Sequence, residues 1–181
     1  MTTTILKTSI NGLNVVLRYP KKGDAGQMCD YINKLSKEQT YITWQGEELL
    51  LKDEEKYLNE QLKRIENKET VQLLLFVNDK LSGISSIDLG SKIQSHIGNF
   101  GISISKEYRG KGMGKLLMKN VLDLAIKNIN GLKIITLEVL AENTNAISMY
   151  KSFGFEEYGK LPNGNKYKGK YVDDILMFRN V

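Results

Sequence analysis

The sequence predicts an α+β protein in which helices pack on a mostly antiparallel, twisted sheet of about seven strands. Two observations carry that expectation. Segments with alternating apolar residues come in neighbouring pairs around turn-forming residues, as hairpins require. Between them lie stretches whose apolar residues recur at the three- and four-residue spacing of one helix face. The resulting order, β-β-α-α-β-β-β-α-β-α-β-β, places helices against a sheet built largely from hairpins.

Taken in order, Ile5 to Ile10 and Val15 to Tyr19 flank Asn11-Gly12 and read as the first hairpin. Asp24 is placed to cap a helix whose apolar face is Ala25, Met28, Ile32 and Leu35. Ser36 to Leu50 is less regular and holds Trp44. A second helix is expected from about Asp53 to Asn67, its acidic residues gathered in the first turn as the helix dipole prefers. Val71 to Val77 and Leu81 to Asp88 form a second hairpin around Asn78-Asp79-Lys80. After the polar turn Gly90 to Ser95, His96 to Ser105 is a strand, with Phe100, Ile102 and Ile104 on one face. A glycine-rich turn follows, then a helix to about Ile129 carrying Met113, Leu116, Leu117, Val121 and Leu124, with Gly131 just past its end. Ile134 to Leu140 is a strand and Asn143 to Phe153 a short helix. Phe155 to Leu161 and Tyr171 to Phe178 close the chain as a hairpin around a polar loop, Pro162 to Lys170.

At 181 residues the chain is expected to be one domain, 1–181. Hydrophobic residues make up 41% and charged residues 26%, as in an ordinary globular protein. The net charge of +5 suits an anionic ligand but is too small to point to nucleic acid. Cys29 is the only cysteine and His96 the only histidine. A disulfide framework and a zinc site of nitrogen and sulfur ligands are therefore not expected, and any Ser/His triad would have to use His96. The first seven residues show no charged-then-apolar leader pattern, and no apolar run reaches membrane-spanning length. A cytoplasmic protein without membrane attachment is the expectation.

The turn Arg109-Gly110-Lys111-Gly112-Met113-Gly114-Lys115 concentrates three glycines and three cations between a strand and a helix. The first helical amides lack intrahelical partners and carry partial positive charge. Glycines let an anion approach them, so the turn is built for phosphate. A P-loop would need a hydroxyl after Gly114-Lys115, where Leu116 stands, and a glycine where Arg109 stands. A dinucleotide fingerprint would need glycine where Lys115 stands. The pattern that fits is R-x-x-G-x-G, as Arg109, Gly112 and Gly114. A second motif runs from Asn143-Thr144-Asn145-Ala146 to Tyr150-Lys151-Ser152-Phe153-Gly154-Phe155.

With these two motifs, in this order and separated by a strand, the chain resembles the GNAT superfamily of acetyl-CoA-dependent N-acetyltransferases, over a core of about residues 84–178. The resemblance implies the GNAT fold, acetyl-CoA as co-substrate, no metal, and transfer of acetyl to a primary amine by direct attack in a ternary complex. It assigns the amides of Gly110 to Lys115, with Arg109, to the pyrophosphate of coenzyme A, and Lys111, Lys115 or Lys119 to the outer phosphates. Ile102, Ser103 and Ile104 would offer a strand edge to the pantetheine arm. Asn143 is implied near that arm, and Tyr150 as the acid that protonates the departing thiolate. A family member often carries a glutamate where this chain has Asn99, which cannot be a base. Glu138 and His96 remain as candidates, acting directly or through water. Acceptor walls would come from Ser36–Leu50 and Pro162–Lys170, which leaves polyamines, protein N-termini, amino sugars, aminoglycosides and amino-acid-like metabolites all open. A homodimer is also open. The competing class is a non-catalytic acyl-CoA-sensing domain, to which Asn99 lends some support.

Overall fold

The computed structural model describes residues 4–181. The strands are β1 (Thr4–Ile10), β2 (Leu13–Arg18), β3 (Thr70–Val77), β4 (Lys80–Leu89), β5 (Ile97–Ile104), β6 (Ile134–Leu140), β7 (Glu156–Tyr167) and β8 (Lys170–Asn180). The helices are α1 (Ala25–Lys37), α2 (Leu51–Glu66), α3 (Met113–Asn128) and α4 (Thr144–Ser152). The strands hydrogen bond in the order β1-β2-β3-β4-β5-β6-β8-β7. Only β5 with β6 is recorded as parallel; β1–β2, β2–β3, β6–β8 and β7–β8 are antiparallel. The expected α+β sheet is therefore present with eight strands rather than about seven.

The chain divides into two compact units, one comprising residues up to Ile87 with Gly101–Asn130, the other Asp88–Phe100 with Gly131–Val181. In the first unit every residue of β3 is buried. The apolar run Leu73 to Val77 is the mark of a strand covered on both faces, and Thr70 and Gln72 are buried with it. Leu74 and Phe76 point to α1 and α2, where Ala25, Met28, Tyr31, Leu35 and Leu58 complete the core. Alternation turns Leu73, Leu75 and Val77 to the other face, and α3 packs against β3 with Met113, Leu117, Met118, Val121 and Leu122 buried.

Asp24 stands at the N-cap of α1, as expected, but its side chain makes no cap hydrogen bond. The carboxylate instead accepts from Arg18 (Nη1 at 2.6 Å, Nη2 at 2.8 Å) and from the Lys21 amide at 2.8 Å. A planar guanidinium matches both carboxylate oxygens at once, which a single helix amide cannot do.

In the second unit Ile135, Leu137 and Val139 of β6 join Tyr150, Phe155 and Met177 in the interior. The stretch Pro162 to Lys170, expected as a loop, is mostly strand. β7 continues to Tyr167 and pairs Asn165, Lys166 and Tyr167 with Val172, Tyr171 and Lys170. The ladder absorbs Pro162, Asn163 and Gly164 as an irregularity between Leu161 and Asn165. Proline and glycine mark a bulge here rather than an end of pairing.

Candidate active site

The glycine turn forms as its residues dictate. β5 ends at Ile104, a single 3-10 turn covers Lys106–Tyr108, and α3 starts at Met113. Gly110 (φ 72°) and Gly112 (φ 81°) both take left-handed backbone, which costs a residue with a Cβ about 1–2 kcal/mol. A Cβ built on either would meet nothing within 4 Å, so the face above the turn is open. The first intrahelical bond runs from the Leu116 amide to Gly112 at 3.0 Å, which leaves the amides of Met113, Gly114 and Lys115 at the open end. The Met113 side chain is fully buried and anchors the helix start, so only its amide is available to a ligand. Lys111 and Lys115 are exposed, whereas Lys119 is paired with Asp123 at 2.6 Å.

Arg109 braces the turn. Its Nε donates to the Ile104 carbonyl at 2.8 Å and its Nη2 to Glu38 at 2.8 Å. These bonds tie the turn to the end of β5 and to the end of α1.

Ile102, Ser103 and Ile104 are half-buried on β5. The parallel ladder with β6 covers only Ile97–Asn99 against Ile134–Thr136. Beyond Asn99 the main-chain groups on that edge of β5 have no ladder partner, which is what an added strand-like ligand needs. The Ser103 hydroxyl and the Tyr31 hydroxyl lie 3.0 Å apart, which pins β5 to α1.

In the second unit Tyr150 is buried on α4, 7% exposed. Its ring meets Phe100 edge-on, centroids 5.9 Å apart, and Phe155 at 6.2 Å. No hydrogen bond to its hydroxyl is recorded among the described residues, and burial pushes the phenol up to about 12. Asn143 is the N-cap of α4, its Oδ1 accepting from the Ala146 amide at 3.4 Å.

The two candidate bases are less well placed. Glu138 is exposed on β6, its side chain on the face opposite Leu137 and Val139. His96 is exposed at the foot of β5, where its carbonyl accepts from the Lys133 and Ile134 amides. It lies five positions before Gly101, about 16 Å along an extended strand. Asn99 is exposed on the same strand. Sequence reasoning passed over Asp174 on β8, which is 6% exposed. Burial and the neighbouring Glu138 charge raise its pKa, against a hydrogen bond from Asn165. Its sequence signal was weak, because it follows another aspartate, Asp173, at the start of the apolar run Ile175 to Phe178.

It also passed over a pocket in the first unit. Asn33 and Ser36 of α1 hold the irregular segment before α2. Asn33 Nδ2 donates to the Leu49 carbonyl at 3.0 Å and its Oδ1 accepts from the Leu49 amide at 2.8 Å. Ser36 donates to the Glu47 carbonyl at 2.7 Å and accepts from the Gly46 amide at 2.9 Å. The segment so fixed helps enclose a cavity of about 390 Å³, lined among others by Met28, Trp44, Glu54, Tyr57, Gln72 and Ile84. Glu54 is 4% exposed, and burial alone pushes its carboxyl up to about 7.

That shift has a stability consequence. A carboxyl raised in the folded state binds its proton more tightly there than in the unfolded chain. Its cost to stability is absent below the ordinary carboxylate pKa, grows as pH rises towards 7, and is complete above it. Glu54→Gln is expected to stabilise the protein at pH 8 by roughly 1–3 kcal/mol, and by almost nothing at pH 4.5. Thermal melts at the two pH values check this; an equal gain at both would mean that the charge is not its source.

A group of three or more His, Cys, Asp or Glu side chains able to hold a metal is absent among the described residues. No described helix is long and apolar enough to cross a membrane.

An open sheet of this strand order, with a glycine turn at the head of α3, is the fold of an acetyl-CoA-dependent N-acetyltransferase. A model of the acetyltransferase (GNAT) family matches residues 30–155, well over half of the chain, and the chain belongs to that family. It is 32% identical to the L-amino acid N-acetyltransferase AaaT of Escherichia coli (strain K12), over 60% of this chain and 67% of that one. Among solved structures, a GNAT-family acetyltransferase from Streptococcus pneumoniae superposes with a TM-score of 0.84 at 28% identity, over 92% of this chain and 99% of the other. The spermidine N-acetyltransferase of Vibrio cholerae, in complex with CoA and spermine, gives 0.75 at 25% identity, over 92% and 95% of the two chains.

Proposed function

We propose that the chain acts as one N-acetyltransferase domain, residues 1–181 with a cofactor-binding core of about 84–178, and that Tyr150 is its catalytic residue. The observation that carries this is a buried phenol whose hydroxyl has no recorded protein partner, on the helix of the second motif. Acetyl-CoA supplies an activated acetyl thioester that an amine attacks directly.

The amides of Gly110 to Lys115 bind its pyrophosphate, with Lys111 and Lys115 free to reach the outer phosphates. Arg109 braces the turn through Ile104 and Glu38 and has Nη1 left for the pyrophosphate. The edge of Ile102, Ser103 and Ile104 receives the pantetheine arm, and a main-chain N–H there polarises the thioester carbonyl. As the amine nitrogen bonds to carbon it gives up one proton, and the C–S bond breaks as the sulfur takes the electron pair. Tyr150 donates a hydrogen bond to that sulfur. A phenol near 12 is too weak to hand its proton outright to a thiolate of pKa about 8.5, so Tyr150 stabilises the leaving charge more than it neutralises it. For the amine's proton the candidate base is Glu138, which lies near enough to the buried Asp174 for its charge to raise that carboxyl's pKa, with His96 as the alternative. Asn143 supports α4 as its cap. The buried, unpaired Cys29 fits a reducing cytoplasm.

The direct test is CoA release from acetyl-CoA with a panel of amines. No release with any amine, alongside tight acetyl-CoA binding, would favour the sensing domain for which Asn99 speaks. A second test addresses the turn. Gly112→Val forces a β-branched residue into φ 81°. It is expected to lose about 1–2 kcal/mol of stability and to raise the KM for acetyl-CoA about tenfold, equivalent to roughly 1.4 kcal/mol, with the amine KM unchanged. A changed amine KM alone would remove the turn from donor binding.

A further inference from the structure

We propose that the pocket of the first unit binds a diamine-like acceptor by its non-reacting ammonium, on an apolar stem with no carboxylate, while the other, neutral amine is the one acetylated. Glu54 and Gln72 receive the ammonium, and Trp44 and Tyr57 line the pocket along the stem. This rests on the N-acetyltransferase reading and names the substrate class for it.

The three buried carboxylates among the described residues differ in what meets them. Asp24 takes the Arg18 guanidinium. Asp174 takes a hydrogen bond from Asn165. Glu54 has no recorded cation or hydrogen-bond donor, and it lines a cavity instead. A buried carboxylate without a partner is costly unless a ligand provides the partner. Gln72 makes the same point independently. It is 1% exposed on β3 and its Nε2 donates to the Tyr57 hydroxyl at 2.9 Å. Its Oε1 is buried with no hydrogen-bond partner, an uncommon condition in folded proteins that a ligand donor in this cavity would relieve.

The cavity thus offers two acceptors for which no donor is recorded, with Asp53 adding a further negative charge at its wall. An ammonium has three donors and no acceptor, which complements that set. Trp44 and Tyr57 are 36% and 38% exposed and line the cavity, so an aromatic wall stands beside the acceptors. Met28, Ile32 and Ile84 line the rest and suit a methylene stem. An α-amino acid would bring its carboxylate against Glu54 and Asp53, and like charges at such range repel.

Trp44 is the only tryptophan, so intrinsic fluorescence reports on this pocket. The experiment titrates the protein with 1,4-diaminobutane and with L-leucine, and measures CoA release with both. A saturable signal is expected for the diamine and not for leucine. Glu54→Gln should raise the half-saturating diamine concentration at least tenfold and Gln72→Leu several-fold. The diamine KM should follow while the acetyl-CoA KM stays within twofold. Equal binding of leucine, unchanged affinity in both variants, or diamine binding without its acetylation would each overturn the proposal. Acetylation of leucine but not of the diamine would overturn the pocket assignment and leave the transferase reading standing. Absence of CoA release with every amine would instead remove the transferase reading.

Discussion

Tyr150→Phe is expected to lower kcat by about 10- to 100-fold while the KM for acetyl-CoA stays within about twofold. The size follows from what is removed: one hydrogen bond to a charge that develops as the C–S bond breaks. Hydrogen bonds to charged groups contribute about 1.5–3 kcal/mol, which is roughly one to two decades of rate. The aromatic ring stays, and with it the edge contact to Phe100 and the tilted contact to Phe155. No hydrogen bond to the hydroxyl is recorded, so its removal should leave the melting temperature unchanged or slightly higher. Because burial holds the phenol near 12, wild-type activity should show no loss from Tyr150 ionisation up to pH 9. Steady-state CoA release with a thermal melt of each protein checks all three statements. Unchanged turnover would remove Tyr150 from the mechanism, and a large melting shift would make it a core residue instead.

What the sequence disclosed and what it hid divide along a physical line. The glycine turn, β5 and α4 were legible because their signals are local: φ-permissive glycines, period-two alternation, and a capping asparagine followed by helical spacing. Asp24 reads locally as a helix cap and Arg109 as part of the phosphate turn, and neither reading discloses the ion pair each makes. Arg18 meets Asp24 across the short connection from β2 to α1, whereas Glu38 is brought to Arg109 by tertiary packing. The strand character of Asn165 to Tyr167 was hidden for the same reason, since bulged pairing depends on β8. The pocket left almost no trace. Glu54 sits among acidic residues that suit any helix start, and Gln72 is a single polar letter in an apolar strand. Only their shared burial around one cavity distinguishes them from a dipole-stabilising turn and a tolerated polar residue.

Arg18→Leu is expected to be the most destabilising single substitution considered, at about 3–5 kcal/mol. Asp24 is completely buried and receives three of its hydrogen bonds from Arg18 and the Lys21 amide. The guanidinium also lies 4.3 Å from the centre of the Phe76 ring and donates to the Tyr19 carbonyl. Leucine fills some of that volume but leaves a carboxylate with one amide donor in a dry site. For a protein of this size the melting temperature should fall by roughly 6–20 °C. Arg18→Lys should recover only part of the loss, because an ammonium cannot bridge both oxygens or lie flat on the phenylalanine. Arg18→Leu with Asp24→Leu should recover most of it, since the cost lies in the orphaned charge rather than in the absent pair. If the double variant melts no higher than Arg18→Leu alone, the guanidinium's packing on Phe76 is what matters. The consequence reaches the acceptor pocket as well. Asp24 fixes the start of α1, and α1 carries Met28 and Ile32 into the pocket wall. The Arg18→Leu protein should therefore bind 1,4-diaminobutane more weakly at temperatures well below its melting point. The double variant should regain that affinity together with its stability.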